Sequence, residues 1–260
     1  MCRFIAYLGP PVRLDRLILE PEHSLLVQAY APREMTDGTL NADGFGMAWW
    51  DGRRAEPYVY RTTLPIWADV NLPHLAAYVE SGTVLAAVRG ATPGQGTDTA
   101  NTPPFAHRNL ATIHNGHIAD FRAGLRRTLR ARLSPEAEAA ILGTTDSEHL
   151  FAWLLTHLPA APSLGAALAH SLGTLAEVAP GATMTLNLVV SDGTRLIASR
   201  MARGARPPSL YWLADHPRFP GGVVIASEPL FRDAGWQSVP ENKVLTVDPD
   251  RTVDIRSLAD

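Results

Sequence analysis

The sequence predicts an α+β protein built on large, mostly antiparallel sheets. Strand-like segments lie near both ends of the chain and helix-like segments fill the middle, an order that suits layered α+β packing. Two pairs of strand-like runs are joined through Asp51-Gly52 and Asp192-Gly193, both hairpin signals. Phe121, Leu125, Leu129 and Leu133 recur every four residues, the spacing of one helix face.

Taken in order, residues 3–8 alternate crudely and read as a strand starting almost at the first residue. Leu14, Leu17 and Ile18 suggest a short helix that stops near Pro21. Residues 44–50 and 57–61 are the arms of the first hairpin. A helix is expected over 73–79, with Pro73 in its first turn and Gly82 just past its end. A strand over 84–89 precedes a Thr/Pro/Gly-rich loop, 90–107, and another strand, 110–114. After the helix marked by Phe121, Ser134-Pro135 is a stop and a restart. Helices over 148–158 and 164–178 follow, then a hairpin of 184–191 with 194–198, and strands at 223–226 and 244–247. No repeat, linker or composition break divides the chain, so 1–260 is expected to be a single domain.

Composition narrows the function classes. The chain has 260 residues, 46% hydrophobic and 19% charged, which excludes a wholly disordered chain or a collagen. With 23 Lys+Arg against 26 Asp+Glu, nothing electrostatic calls for nucleic acid. No apolar run approaches the roughly 20 residues of a membrane span, and no signal-peptide core follows the start. The single cysteine cannot form an internal disulfide, which fits a reducing compartment, so a cytoplasmic protein is expected. Neither a P-loop nor a G-x-S-x-G elbow is present, and Gly44-Phe45-Gly46 lacks the third glycine of a dinucleotide fingerprint. The nine histidines are scattered, and Asp146-Ser147-Glu148-His149 fits no common zinc motif. No metal and no cofactor are expected, and a homo-oligomer is left open.

The lone cysteine is Cys2. Removal of Met1 would leave it with a free α-amine whose reference pKa is about 7.7–8.0. One residue then supplies both a nucleophile and its base. The bland alternative is a small buried hydrophobe, the usual fate of a free cysteine. Attack on an amide also needs an oxyanion hole, and Asn115-Gly116 after a strand offers a side-chain amide and a backbone N–H. Taken alone, Asn-Gly reads more readily as a hairpin turn. Arg89 ends an apolar strand, where it is either a fork for a carboxylate or a surface charge. Thr145 and Glu148 fit a capping box, which leaves Asp146 as a first-turn acid.

In this order the residues resemble the N-terminal-nucleophile (Ntn) hydrolases of the class II glutamine amidotransferase type. The resemblance rests on Met1-Cys2-Arg3, Asn41-Ala42-Asp43-Gly44-Phe45-Gly46, Val88-Arg89-Gly90-Ala91-Thr92, Asn101-Thr102-Pro103-Pro104-Phe105, His114-Asn115-Gly116 and Thr145-Asp146-Ser147-Glu148. The chain departs from the family pattern at Gly90, Pro93 and Pro103. Within the family it is similar to the stand-alone hydrolases of ergothioneine biosynthesis, which cleave γ-glutamyl-hercynylcysteine sulfoxide. Tyr30-Ala31-Pro32-Arg33-Glu34-Met35, Leu64-Pro65-Ile66-Trp67 and Ala226-Ser227-Glu228-Pro229 carry that likeness.

The resemblance implies an αββα sandwich, two mostly antiparallel sheets between helical layers, with Cys2 at the start of a central strand. It implies Cys2 as nucleophile, Asn115 and Gly116 as oxyanion hole, Arg89 on the substrate α-carboxylate and Asp146 on its α-ammonium. Thr92 and Trp67 join the substrate-binding set. At least one of Trp49, Trp50 and Trp67 is expected at the leaving-group end of the pocket. The partner implied is a small γ-glutamyl substrate, with neither nucleic acid nor membrane. Glu228, beside Ser227, reads as structural, with a site role left open. The alternative is a glutaminase subunit that passes ammonia to a separate synthase.

Overall fold

A strand begins at Arg3, one residue after the lone cysteine, and runs to Arg13 (β1). It sits at the centre of a sheet in the computed structural model, which describes residues 2–36, 38–92 and 95–258. Short helices α1 (Asp15–Ile18) and α2 (Leu25–Tyr30) lead to β2 (Phe45–Trp50) and β3 (Tyr58–Thr62). Next come α3 (Leu72–Tyr78), β4 (Glu80–Val88), β5 (Phe105–His107) and β6 (Leu110–Ile118). The helical middle is α4 (Leu125–Arg130), α5 (Pro135–Ala139), α6 (Asp146–His157) and α7 (Leu164–Val178). The last third holds β7 (Met184–Ser191), β8 (Leu196–Arg200), β9 (Ala202–Arg203), β10 (Tyr211–His216) and β11 (Phe219–Ala226). It closes with β12 (Gln237–Ser238), β13 (Lys243–Val247) and β14 (Val253–Ser257).

One sheet runs β12-β10-β11-β1-β4-β2-β3, the other β14-β13-β8-β7-β6-β5, with β9 also on β7. The pairings are antiparallel. Phe4, Ala6 and Leu8 of β1 pack with Ile113, Val189 and Leu245 of the facing sheet. Ile5 and Tyr7 point the other way, against Leu17, Leu25 and Leu72 of the first three helices. The outer face of the second sheet, with Leu186, Leu188 and Ile197, buries Leu129, Leu154 and Leu168 of the middle helices. Successive β1 residues therefore enter two different cores, which is why that strand is apolar on both faces. The result is the αββα sandwich that the resemblance implied.

The structure corrects several element boundaries. β6 continues through Asn115-Gly116 to Ile118, so this Asn-Gly is not a hairpin turn. β4 starts at Glu80, so Gly82 lies inside a strand, where a Cβ would come within 2.8 Å of the Gly9 carbonyl oxygen. The periodic segment at Phe121 forms a helix only over Leu125–Arg130, although Phe121, Leu125 and Leu129 share one core. Thr145 caps α6 by accepting from Glu148 N at 3.2 Å, but the Glu148 carboxylate accepts from Leu142 N and Gly143 N instead. Sequence reading missed α2, β5, β9, β10, β12 and β14, which are short or lie toward sheet edges. Among the described residues no helix is long and apolar enough to cross a membrane.

Candidate active site

Cys2 sits partly buried where β1 begins, with Sγ 4.0 Å from the Gly90 carbonyl oxygen. Met1 lies outside the described residues. Arg3 pairs with Val88 and Val88 with Phe45, so the ends of three strands are level with the cysteine. The loop before β2 and the loop after β4 are laced together there. Arg89 N donates to Gly44 O at 2.8 Å, and Asp43 N donates to Arg89 O at 2.9 Å. The Asp43 carboxylate accepts from Ala91 N at 2.7 Å. Gly44 takes a left-handed φ of 118°, which favours glycine at this junction.

The facing sheet supplies Asn115. It shares the inter-sheet face of β6 with Ala111 and Ile113 by alternation. With its amide nitrogen toward Cys2, it donates to the Cys2 carbonyl at 2.8 Å and accepts from Arg3 Nη1 at 2.9 Å. An amide nitrogen carries two hydrogens, so a second donor remains. Gly116 follows, where an added Cβ would overlap the Thr185 carbonyl oxygen on β7. β5 covers β6 only over Leu110–Thr112. Beyond it no strand among the described residues pairs with that edge of β6, and Asp146 Oδ2 accepts from Ile118 N there at 2.8 Å. The Gly116 N–H, two residues earlier, points to that same edge.

Asp146 thus does more than favour the helix dipole: it docks the start of α6 on β6. Its Oδ1 accepts from Ser147 N at 2.8 Å. His114 lies behind, with Nε2 3.1 Å from Thr185 O and Nδ1 2.9 Å from Ser147 Oγ. A carbonyl only accepts, so Nε2 carries the proton and Nδ1 accepts from the serine, an assignment made from the partners. Burial holds His114 below the ordinary histidine value, against the Asp146 charge and the Thr185 carbonyl.

Arg89 is buried, and among the described residues its guanidinium donates to backbone carbonyls alone, Asp43 O at 3.4 Å and Gly96 O at 3.3 Å. Among the described residues no carboxylate forms an ion pair with it. A fork of this kind has donors to spare for a carboxylate. Asn101 Nδ2 also donates to Gly96 O, at 3.2 Å, and its Oδ1 accepts from Thr144 N at 2.8 Å. These bonds tie the loop after β4 to the segment before α6. Thr92 is exposed on that loop; only its carbonyl has a described bond, from Gln95 N at 3.0 Å. Pro93 lies outside the described residues.

The tryptophans separate. Trp50 pairs with Thr83, and Thr83 with Leu8, five residues along β1 from Arg3. At about 3.4 Å per residue that is roughly 17 Å away. Trp49 and Trp50 therefore belong to the opposite end of the sandwich: Trp49 stacks on Tyr58, and Trp50 lies under Gly193. Trp67 is 43% exposed, edge-on to Tyr30 with ring centroids 6.1 Å apart. It follows β3, whose Thr62 pairs with Phe45 at the cysteine end.

Sequence reading missed a buried charge cluster beneath the cysteine. Arg3 and Glu228 are 0% and 1% exposed, with Nε 3.0 Å from Oε1. Glu228 also accepts from His23 Nε2 at 2.7 Å, Arg33 N at 2.8 Å and Glu34 N at 3.0 Å. Burial works to raise its carboxyl, but those bonds and the Arg3 charge hold it below the usual carboxylate range. The signal was present: opposite charges end two apolar strands, and buried charges need partners. Among the described residues no three His, Cys, Asp or Glu side chains are grouped to hold a metal ion.

Residues 22–217 match the family described as Glutamine amidotransferases class-II. Over 247 residues the chain is 35% identical to the gamma-glutamyl-hercynylcysteine sulfoxide hydrolase of Mycobacterium tuberculosis, covering 95% of this chain and 93% of that one. A solved structure, a glutamine aminotransferase class-II domain protein of Silicibacter pomeroyi, is similar over 100% of both chains, with TM-score 0.75 and 29% identity. The glutamine phosphoribosylpyrophosphate amidotransferase of B. subtilis shares the fold, with TM-score 0.67 and 17% identity over 99% of this chain and 49% of that one.

Proposed function

This chain belongs to the class-II glutamine amidotransferases, and we propose that within that family it hydrolyses the γ-glutamyl amide of γ-glutamyl-hercynylcysteine sulfoxide. The products are glutamate and hercynylcysteine sulfoxide, a step of ergothioneine biosynthesis. The observation that carries the amidase reading is Cys2 at the head of a central strand, with the Asn115 amide on its carbonyl at 2.8 Å. The 35% identity over 95% of the chain supports the choice of substrate.

In this reading, loss of Met1 frees the Cys2 α-amine. The amine takes the thiol proton, and the thiolate attacks the γ-carbonyl carbon. The oxyanion is met by the second Asn115 N–H and by the Gly116 N–H on the edge of β6 beyond β5. The C–N bond then breaks, and the ammonium returns its proton to the leaving nitrogen. A water adds to the thioester, giving the amine a proton, and glutamate leaves as the Cys2 sulfur is released and reprotonated. Arg89 holds the substrate α-carboxylate and Asp146 its α-ammonium, opposite charges matched to a glutamyl head group. Trp67 and Thr92 complete the binding set, with Trp67 toward the leaving group.

The test is competitive hydrolysis of γ-glutamyl-hercynylcysteine sulfoxide against L-glutamine. A strong preference for the sulfoxide is expected. Equal or better use of glutamine would favour a glutaminase that feeds ammonia to a separate synthase.

A further inference from the structure

We propose that Arg3 and Glu228 are a positioning pair that decides which way the Asn115 amide points, an inference that rests on the reading of Asn115 as an oxyanion donor. The two ends of a primary amide have nearly the same shape, so packing alone does not choose between them. Chemistry does. One end of the fully buried Asn115 amide faces Arg3 Nη1 at 2.9 Å, and the other faces the Cys2 carbonyl at 2.8 Å. A guanidinium only donates and a carbonyl only accepts. The arrangement that satisfies both puts oxygen on Arg3 and nitrogen on Cys2. Turned over, the amide would set donor against donor and acceptor against acceptor at a fully buried position, where unpaired polar groups are costly.

Arg3 is itself held. Its Nε lies 3.0 Å from Glu228 Oε1 as an ion pair off the hydrogen-bond line, and Nη2 has no acceptor among the described residues. The guanidinium therefore depends on Glu228 for its place. Glu228 is the fixed point, gripped by His23 and by the Arg33 and Glu34 backbone N–H groups. A buried ion pair is weak support for stability compared with packed apolar residues. Its place one residue from the nucleophile suits orientation instead.

The experiment compares wild type, the double variant Arg3→Met/Glu228→Gln, Asn115→Ala, and all three changes together, with intact mass confirming Met1 removal in each. Kinetics use L-glutamine and γ-glutamyl-hercynylcysteine sulfoxide. The Asn115 side-chain NH2 is followed by NMR in 15N-asparagine-labelled protein. The charge-pair variant is expected to lose about tenfold or more in kcat, within the ~10²–10³ limit set by losing one oxyanion donor, with KM little changed. In the Asn115→Ala background the same change should cost under about threefold, the signature of residues that act as one unit. The NH2 resonances should double or broaden. Arg3→Lys, which keeps the buried charge paired, covers the case in which the double variant does not fold. Its ammonium cannot span both partners, so it should show the same kinetic and NMR changes. Losses that multiply in the Asn115→Ala background, or a single unchanged pair of NH2 resonances, would overturn the proposal. If wild type cleaves neither substrate while the resonances respond to Arg3, the functional reading fails and the positioning role stands.

Discussion

Gly116 pairs with Leu186 across β6 and β7, and the carbonyl of the next residue, Thr185, comes so close that it occupies the space of a Cβ on residue 116. The glycine is there for that approach rather than for a turn. Gly116→Ala must push the strands apart, and overpacking of this kind costs about 1–3 kcal/mol. A thermal midpoint several degrees lower is expected, together with loss of activity from displacing the N–H aimed at the oxyanion. A variant with native stability and rate would contradict the placement.

Asn115 and Arg89 should fail differently. Asn115→Ala is expected to depress kcat by about 10²–10³-fold, the size of one lost oxyanion donor. Arg89→Lys keeps the charge but loses the fork. It should raise KM more than it lowers kcat, if the carboxylate contact is equal in ground and transition states. Steady-state kinetics on one γ-glutamyl substrate separates the two. Equal, small effects would mean the site is elsewhere.

Protonation should weaken the fold on the acid side. Burial holds both His114 and His149 below the ordinary histidine value. The unfolded chain takes up protons near about pH 6.5, where these native side chains stay neutral. Their contribution is complete above that pH and is lost as pH falls through and below it. Glu228, held below the usual carboxylate range, adds stability above about pH 4.3 that is lost on further acidification. Thermal midpoints measured from about pH 8 to about pH 5 should fall, and less steeply for His114→Gln. A flat profile would contradict the assignment of His114 as a neutral buried donor.

Trp67 should matter for the far end of the substrate alone. A quaternary ammonium gains about 0.5–2 kcal/mol from an aromatic face. Trp67→Ala should therefore raise KM for γ-glutamyl-hercynylcysteine sulfoxide and leave KM for glutamine unchanged. Equal changes for both would place Trp67 outside the leaving-group end.

The fold class and most long elements were legible because period and turn chemistry agree with tertiary burial. The strand–turn–strand of β7 and β8 and the full length of α7 show this. Asn115-Gly116 misled because the same dipeptide serves a turn or a close strand approach, and only the facing carbonyl of Thr185 distinguishes them. Trp49 and Trp50 misled because neighbours in sequence to a motif can lie at the other end of a strand. Arg3 and Glu228 meet from 225 positions apart across adjacent strands β1 and β11, a pairing that local pattern does not encode. Arg89, Asn115 and Asp146 stood out in the sequence beside bland alternatives, and the resemblance is what assigned them roles. The structure brings them to the end of the sandwich where Cys2 lies.

The central claim is that Cys2 works as an N-terminal residue. Intact mass, taken with and without a γ-glutamyl-like electrophile, measures it directly. The account predicts a chain lacking Met1 and a single covalent adduct, absent in Cys2→Ala and in protein with an uncleaved N-terminal tag. Hydrolytic activity equal to wild type in protein that retains Met1 or the tag would contradict it.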